Sequence, residues 1–180
     1  YSSINTTLLA LLAETVENKR WSDIYQERVW SKMTVEGDLQ VSIAPDSTPL
    51  PHGLVASRLR DMARYGMLYT PSWHKAARER IVSQAYVRQI QEGGRKEIFL
   101  RGEIGNHLTT AFFPASPPSA NHWQWDAVWP DGDFYKGGVW GQGLYVSPAR
   151  DLVIAWFSTA MSNDLTQYAR QIAINTPALH

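Results

Sequence analysis

A chain of 180 residues in which 17 basic side chains balance 17 acidic ones has no net field to hold nucleic acid or an anionic membrane surface. With 44% hydrophobic residues and eight tryptophans it can bury a sizeable core in one domain, yet its longest apolar runs, Leu8 to Ala13 and Leu152 to Phe157, fall far short of the ~20 residues that span a bilayer. The lack of cysteine removes disulfides, thiolate nucleophiles and cysteine-type zinc sites.

Ser, Asn and Thr within the first seven residues offer N-caps for a helix on which Leu8, Leu11, Leu12, Thr15 and Val16 recur at helical spacing, with Asn18 as its stop. Ser22 is placed to cap a second helix carrying Ile24, Tyr25, Arg28 and Val29. Gly37, Pro45, Pro49 and Pro51 make residues 34–51 a meandering loop with one short strand at Leu39 to Ile43. Ser57 is the expected cap of a third helix, with Leu59, Met62, Ala63, Gly66 and Met67 along one face. Ser83 caps a fourth, which Gly93-Gly94 ends. Pro114, Pro117 and Pro118 exclude an extended helix from the irregular stretch Arg101 to Asn121, and a loop of that length is more often functional than inert. His122 to Trp129 alternates polar and apolar residues and reads as one strand. A last helix, capped by Asn163 or Asp164, carries Leu165, Tyr168, Ala169 and Ile172 over one face of the strands. The expected order is helices over about 5–92, an irregular segment over about 101–121, antiparallel strands over about 122–158 and a C-terminal helix over about 163–174.

The densest signal lies between the turns Pro130-Asp131-Gly132-Asp133 and Ser147-Pro148-Ala149-Arg150-Asp151. A short strand, a glycine-rich corner and a second strand fit between them, and Leu152 to Phe157 follows as a third, giving an antiparallel meander. Lys136 stands at a strand end and is followed at once by Gly137 and Gly138. Backbone without Cβ atoms can approach a ligand closely and aim its N–H groups at a developing negative charge, beside the fixed charge of the lysine. That combination suits an acyl group or a carboxylate. Gly138, Gly141 and Gly143 have the wrong spacing for a dinucleotide fingerprint, and the five histidines show no metal-ligand spacing. Trp123, Trp125, Trp129 and Trp140 are candidate pocket walls, Trp140 foremost because it adjoins the corner.

These residues resemble a family. Lys136-Gly137-Gly138 matches the Lys/His-(Thr/Ser/Gly)-Gly strand motif of serine β-lactamases, penicillin-binding proteins and related esterases and amidases. Gly141 through Ile154 is similar to that family's "GGQ-x-(I/L)-YVDP-x-x-DLVI" segment, and Gly53-Leu54 through Leu68 to its "GGL-x-(S/A)-(T/S)-x-x-DLARFG-x-L" segment. Tyr1-Ser2-Ser3 resembles the Tyr-x-Asn/Ser motif that precedes a leucine-rich helix. The resemblance runs from Tyr1 to about Ile174. It implies an α+β, β-lactamase/transpeptidase-like fold, an antiparallel sheet with helices packed on its faces, of which this chain is the C-terminal part.

The resemblance also implies roles. Tyr1 takes the proton from a serine nucleophile, Lys136 orients a substrate carboxylate or keeps Tyr1 ionised, and the Val139 N–H lines the oxyanion hole. Ser3, Gly137, Gly138 and Trp140 surround the substrate. The one Ser-x-x-Lys, Ser72-Trp73-His74-Lys75, follows Pro71 where the family has a surface linker, so the nucleophile and its lysine are expected upstream of Tyr1. The chain starts at Tyr1 with neither Met nor signal peptide and is read as a fragment partnered by the N-terminal remainder of the same protein. The implied reaction is acyl transfer to serine and hydrolysis of a small-molecule ester, amide, β-lactam or peptide, with no metal or cofactor. No nucleic-acid partner and no membrane span are expected, and a bacterial periplasmic or secreted location is favoured over the cytoplasm. The alternative is a relative without catalysis that binds peptide or cell-wall fragments.

Overall fold

The computed structural model describes residues 3–53, 55–160 and 164–179. Helix α1 (Ser3–Glu17) stops where expected, with Asn18 in the left-handed conformation at φ +50°. Its orientation is the reverse of the expected one. Leu8, Leu9, Leu12 and Val16 are each more than half exposed, and only Ala10 is buried. The stripe turned inward is polar and finds partners there: Thr6 bonds to Gln124, Thr7 to His52, Glu14 to the Trp21 backbone and Glu17 to Arg28. The Glu14 contact also explains why Ser22 is not a cap. Helix α2 (Trp21–Arg28) begins two residues earlier than a Ser22 cap would place it, and the Glu14 carboxylate takes its first N–H from across the turn at 2.7 Å.

A two-stranded ribbon follows: β1 (Gln40–Val41) falls within the expected short strand, and its partner β2 (Val55–Ala56) lies beyond residue 51, where no strand is expected. Helix α3 (Leu59–Met67) has no side-chain cap, because the Ser57 hydroxyl turns to the Arg58 carbonyl. Helix α4 (Gln84–Glu92) is capped as expected, its Ser83 oxygen accepting from the Tyr86 N–H at 3.1 Å. The stretch read as irregular starts out helical. Helices α5 (Lys96–Arg101) and α6 (Glu103–His107) break at Gly102, and one wide turn over Leu108–Phe112 ends just before Pro114. The prolines end helical structure there without preventing it upstream. No described helix is long and apolar enough to cross a membrane.

Five strands then pair in sequence order as an antiparallel meander. They are β3 (Ala120–His122), β4 (Trp125–Val128), β5 (Phe134–Gly137), β6 (Gly143–Ser147) and β7 (Leu152–Trp156). The single strand expected over residues 122–129 is a hairpin, folded at Trp123 and Gln124 with φ of +48° and +67°. Two-residue turns of this hand favour Asn-Gly, so Trp-Gln gives no sign of one. Alternation along the strands divides the core. One layer sets Phe134, Leu144, Val146, Val128 and Trp125 against Leu68, Tyr69 and Ile90. The other sets Tyr135, Tyr145, Ala127, Trp129 and Trp156 against Ala169 and Ala173 of helix α7 (Asp164–Ile174) and against Phe113. Each fully buried apolar side chain of this size contributes about 1.5–3 kcal/mol. The caps proposed for α7 at Asn163 or Asp164 lie outside the described residues and side chains.

One charged group is enclosed completely in the second layer. Asp133, at the start of β5, is fully buried, and Tyr145 donates to its carboxylate at 2.6 Å. Arg170 of α7 donates to Asp133 at 3.0 Å, to the Tyr145 oxygen at 2.7 Å and to Asp131 at 3.0 Å. Arg150 adds a contact to Asp133 at 3.2 Å, and the Arg170 guanidinium lies 4.8 Å over the Trp129 ring. Removing one partner of such a cluster strands the others without a counter-charge, at a cost of about 3–5 kcal/mol. Asp133→Ala is expected to lower unfolding free energy by that amount in a denaturant titration; a loss under ~1 kcal/mol would show that the cluster does not hold the layers together.

Burial raises the Tyr135 phenol from 10.0 to about 12, against an opposing hydrogen bond to Thr166. Between these values the folded chain keeps a proton that the unfolded chain has released, so its stabilisation is complete below the lower value and declines as pH rises toward the upper one. Melting temperature should therefore fall from about pH 10 to 12, and fall less steeply in Tyr135→Phe. Equal slopes for the two proteins would assign the alkaline loss to other groups.

Candidate active site

Antiparallel pairing brings two connections to the same end of the sheet. The Trp123-Gln124 tip enters β4 beside the point where β5 leaves through Gly137 into the corner of residues 138–142. The beginning of α1 arrives there too, because the Thr6 hydroxyl bonds to the Gln124 side chain at 3.3 Å. Between the start of α1, Ile104 of α6 and the hairpin opens a cleft of about 250 Å³, lined by Asn5, Ile104, Asn121 and residues 122–126. A second hollow of about 560 Å³ is lined by Arg101, Gly102, Glu103, Ile104, Asn106 and His107.

Lys136 is the next-to-last residue of β5, as its place before the glycines predicted. The register that pairs Ala127 with Tyr135 and Val128 with Phe134 continues to set Asp126 opposite Lys136. The Lys136 Nζ donates to both Asp126 oxygens, at 2.9 and 2.8 Å, and the Gly137 N–H donates to the same carboxylate at 2.8 Å. The side chains are 35% and 21% exposed, so solvent screens the pair only in part. Asp126 escaped sequence reasoning, although counting outward from the turn at 129–133 would have found it. The Trp129–Asp133 pairing across that turn fixes which residues of β4 and β5 stand opposite one another.

The glycine corner differs from its expected use. The Gly137 and Gly138 N–H groups were expected to face a ligand, but the first is bonded to Asp126 and the second to the Gln142 carbonyl at 2.9 Å. Gly137 lacks a Cβ for a local reason as well: one would stand 2.9 Å from the Tyr135 hydroxyl. Val139 and Trp140 lie outermost on the turn, both more than half exposed. Trp140 has φ +64°, a conformation costing an L-residue about 1–2 kcal/mol. The corner is held from beneath by Trp156, whose indole N–H donates to the Gly141 carbonyl at 2.6 Å and whose ring stacks on Tyr135. Of the four tryptophans proposed as pocket walls, Trp129 belongs to the core, Trp125 is buried there while also lining the cleft with Trp123, and Trp140 is exposed on the corner.

Ser3 opens α1, and Tyr1 lies outside the described residues. Ser72 is committed elsewhere. Its hydroxyl and N–H both donate to Asp151, which occupies the β6–β7 turn. That turn follows Ser147, four residues along β6 from Gly143, so roughly 13 Å separates it from the corner. Burial acts to raise the Asp151 carboxyl, but the hydrogen bonds from Ser72 outweigh it and hold the group below its usual range. Among the described residues no cluster of three His, Asp or Glu side chains is placed to hold a metal ion.

The family model described as Beta-lactamase matches residues 1–175. The chain is also similar to 6-aminohexanoate-dimer hydrolase of Paenarthrobacter ureafaciens, with 28% identity over 160 residues. That alignment takes in 88% of this chain and 38% of the relative, so the chain spans well under half of the protein it matches.

The support beneath the corner is open to direct test. A Cβ on Gly143 would overlap the Trp156 ring, and overpacking of this kind costs about 1–3 kcal/mol. Gly143→Ala is expected to destabilise by that amount and to shift tryptophan fluorescence as the Trp156–Gly141 bond is lost. An unchanged melting temperature and emission would show that Trp156 does not fix the corner.

Proposed function

This chain belongs to the β-lactamase family, and on that premise we propose that it carries the proton-transfer and electrostatic half of a serine hydrolase site acting on esters, amides or β-lactams. The observation carrying the reading is the convergence of Lys136, the exposed Val139 turn and the beginning of α1 at one end of the sheet. The similarity to a hydrolase of an aminohexanoate dimer supports an amide among the substrates. In this reading the nucleophilic serine comes from outside residues 1–180, which the bonding of Ser72 to Asp151 away from this end supports.

In the proposed reaction the serine oxygen attacks the acyl carbon while Tyr1 accepts its proton. The carbonyl oxygen gains negative charge as the tetrahedral intermediate forms, and the Val139 N–H donates to it. A donor in that place is worth about 2.7–4 kcal/mol in the transition state. Tyr1 then returns the proton to the leaving alcohol or amine, and water cleaves the acyl-enzyme by the same steps. A phenol with an ordinary pKa near 10 is a weak base at neutral pH, so cations beside it have to favour its ionised form, the candidates being Lys136 and the lysine that accompanies the nucleophile.

Tyr1→Phe removes the hydroxyl and keeps the ring. In the full-length protein it is expected to lower kcat for a p-nitrophenyl ester by ~10²–10⁴-fold with little change in melting temperature. A variant that hydrolyses the ester as fast as the parent would overturn the reading, and binding of peptide or cell-wall fragments without turnover would then replace it.

A further inference from the structure

We propose that Asp126 cancels the charge of Lys136, so that the site takes acyl donors that are uncharged where they meet the lysine, neutral esters and amides, and rejects donors bearing a carboxylate there. The inference rests on the hydrolase reading and narrows its substrate class. A lysine at this strand end, taken alone, is an anchor for an anion. Here its ammonium already holds both oxygens of a carboxylate at 2.9 and 2.8 Å and reaches the Gly137 carbonyl at 3.3 Å. The Gly137 N–H, at 2.8 Å from Asp126, locks that carboxylate in place independently of the lysine.

The consequence follows from distance. A substrate carboxylate within hydrogen-bond reach of Nζ, ~2.8 Å, comes within about 6 Å of the Asp126 oxygens. Attraction and repulsion scale inversely with distance, so about half of the gain from the lysine is lost, and what remains no longer outweighs the cost of taking the substrate carboxylate out of water. Partial burial of both side chains lets solvent and salt mask the repulsion only in part. The neighbouring cleft reinforces the preference. Its described lining beside Asp126 is Asn5, Asn121, Gln124, Ile104, the rings of Trp123 and Trp125 and the imidazole of His122, with no lysine or arginine. Specificity of this sort is built from an unfavourable charge contact against the wrong substrate.

The test compares two esters in the full-length protein, p-nitrophenyl butyrate and the p-nitrophenyl monoester of glutaric acid, which differ by a terminal carboxylate. The parent is expected to favour the butyrate in kcat/KM by about tenfold or more. Asp126→Asn keeps an oxygen for the Lys136 and Gly137 donors and removes the charge. It should move the ratio toward the glutarate ester by at least about tenfold, mostly through KM, with the shift shrinking at high salt. A parent that prefers the glutarate ester, or an active Asp126→Asn protein with an unchanged ratio, overturns the inference and leaves the hydrolase reading standing. A parent that cleaves neither ester removes both. Should Asp126→Asn fail to fold, inhibition of the parent by phenylboronic and 3-carboxyphenylboronic acids decides: the uncharged acid should bind at least as tightly, and a tenfold advantage for the carboxylated one would refute the assignment.

Discussion

The buried carboxylate of Asp133 is the point to which the sheet and the C-terminal helix are fastened. The turn before β5, the middle of β6, the turn after β6 and α7 each send a group to it or to its partners Tyr145, Arg150 and Arg170. A charge taken wholly out of water is costly unless its hydrogen bonds are complete, and here two guanidinium groups and a phenol complete them. The bonds tie the register of β5 and β6 to the position of Arg170 on α7. At the same end Asp151 grips the segment after α3 through Ser72, so both layers of the core are tied to that edge.

Rigidity at that end lets the opposite end hold conformations that would not persist alone. Trp123, Gln124 and Trp140 all have left-handed backbone and all lie where β4 begins and β5 ends. Each costs about 1–3 kcal/mol and needs a surrounding structure that leaves no alternative. The Trp156 bond to Gly141, the Gly138–Gln142 turn and the Tyr86 ring beside Trp123 supply that constraint. The result is an exposed rim of two tryptophans and a backbone turn around the Lys136–Asp126 pair.

Charge, more than shape, distinguishes this site. The strand lysine common to the family motif is present, but its strand neighbour is an aspartate that also occupies the first glycine N–H. Together the two side chains carry no net charge at this end of the sheet.

Much of this was legible in the chain itself. The turns at 130–133 and 147–151, the strands between and after them, the stop at Asn18 and the cap at Ser83 are encoded by residues whose own backbone preferences or short side chains decide the outcome locally. The Lys136 motif and its neighbours likewise identify the family, since they form a contiguous run. Other features are pairings between distant segments, which no local preference records. Asp126 meets Lys136 because two strands are in register; Glu14 replaces Ser22 as a cap because α1 folds back beside α2; Ser72 is tied up by a residue 79 positions away. The hairpin at Trp123-Gln124 and the outward apolar stripe of α1 run against their local sequence signals. Tertiary contacts decided both, because the bonds from Gln124 to Thr6 and from Thr7 to His52 can form only with that turn and that helix face in place.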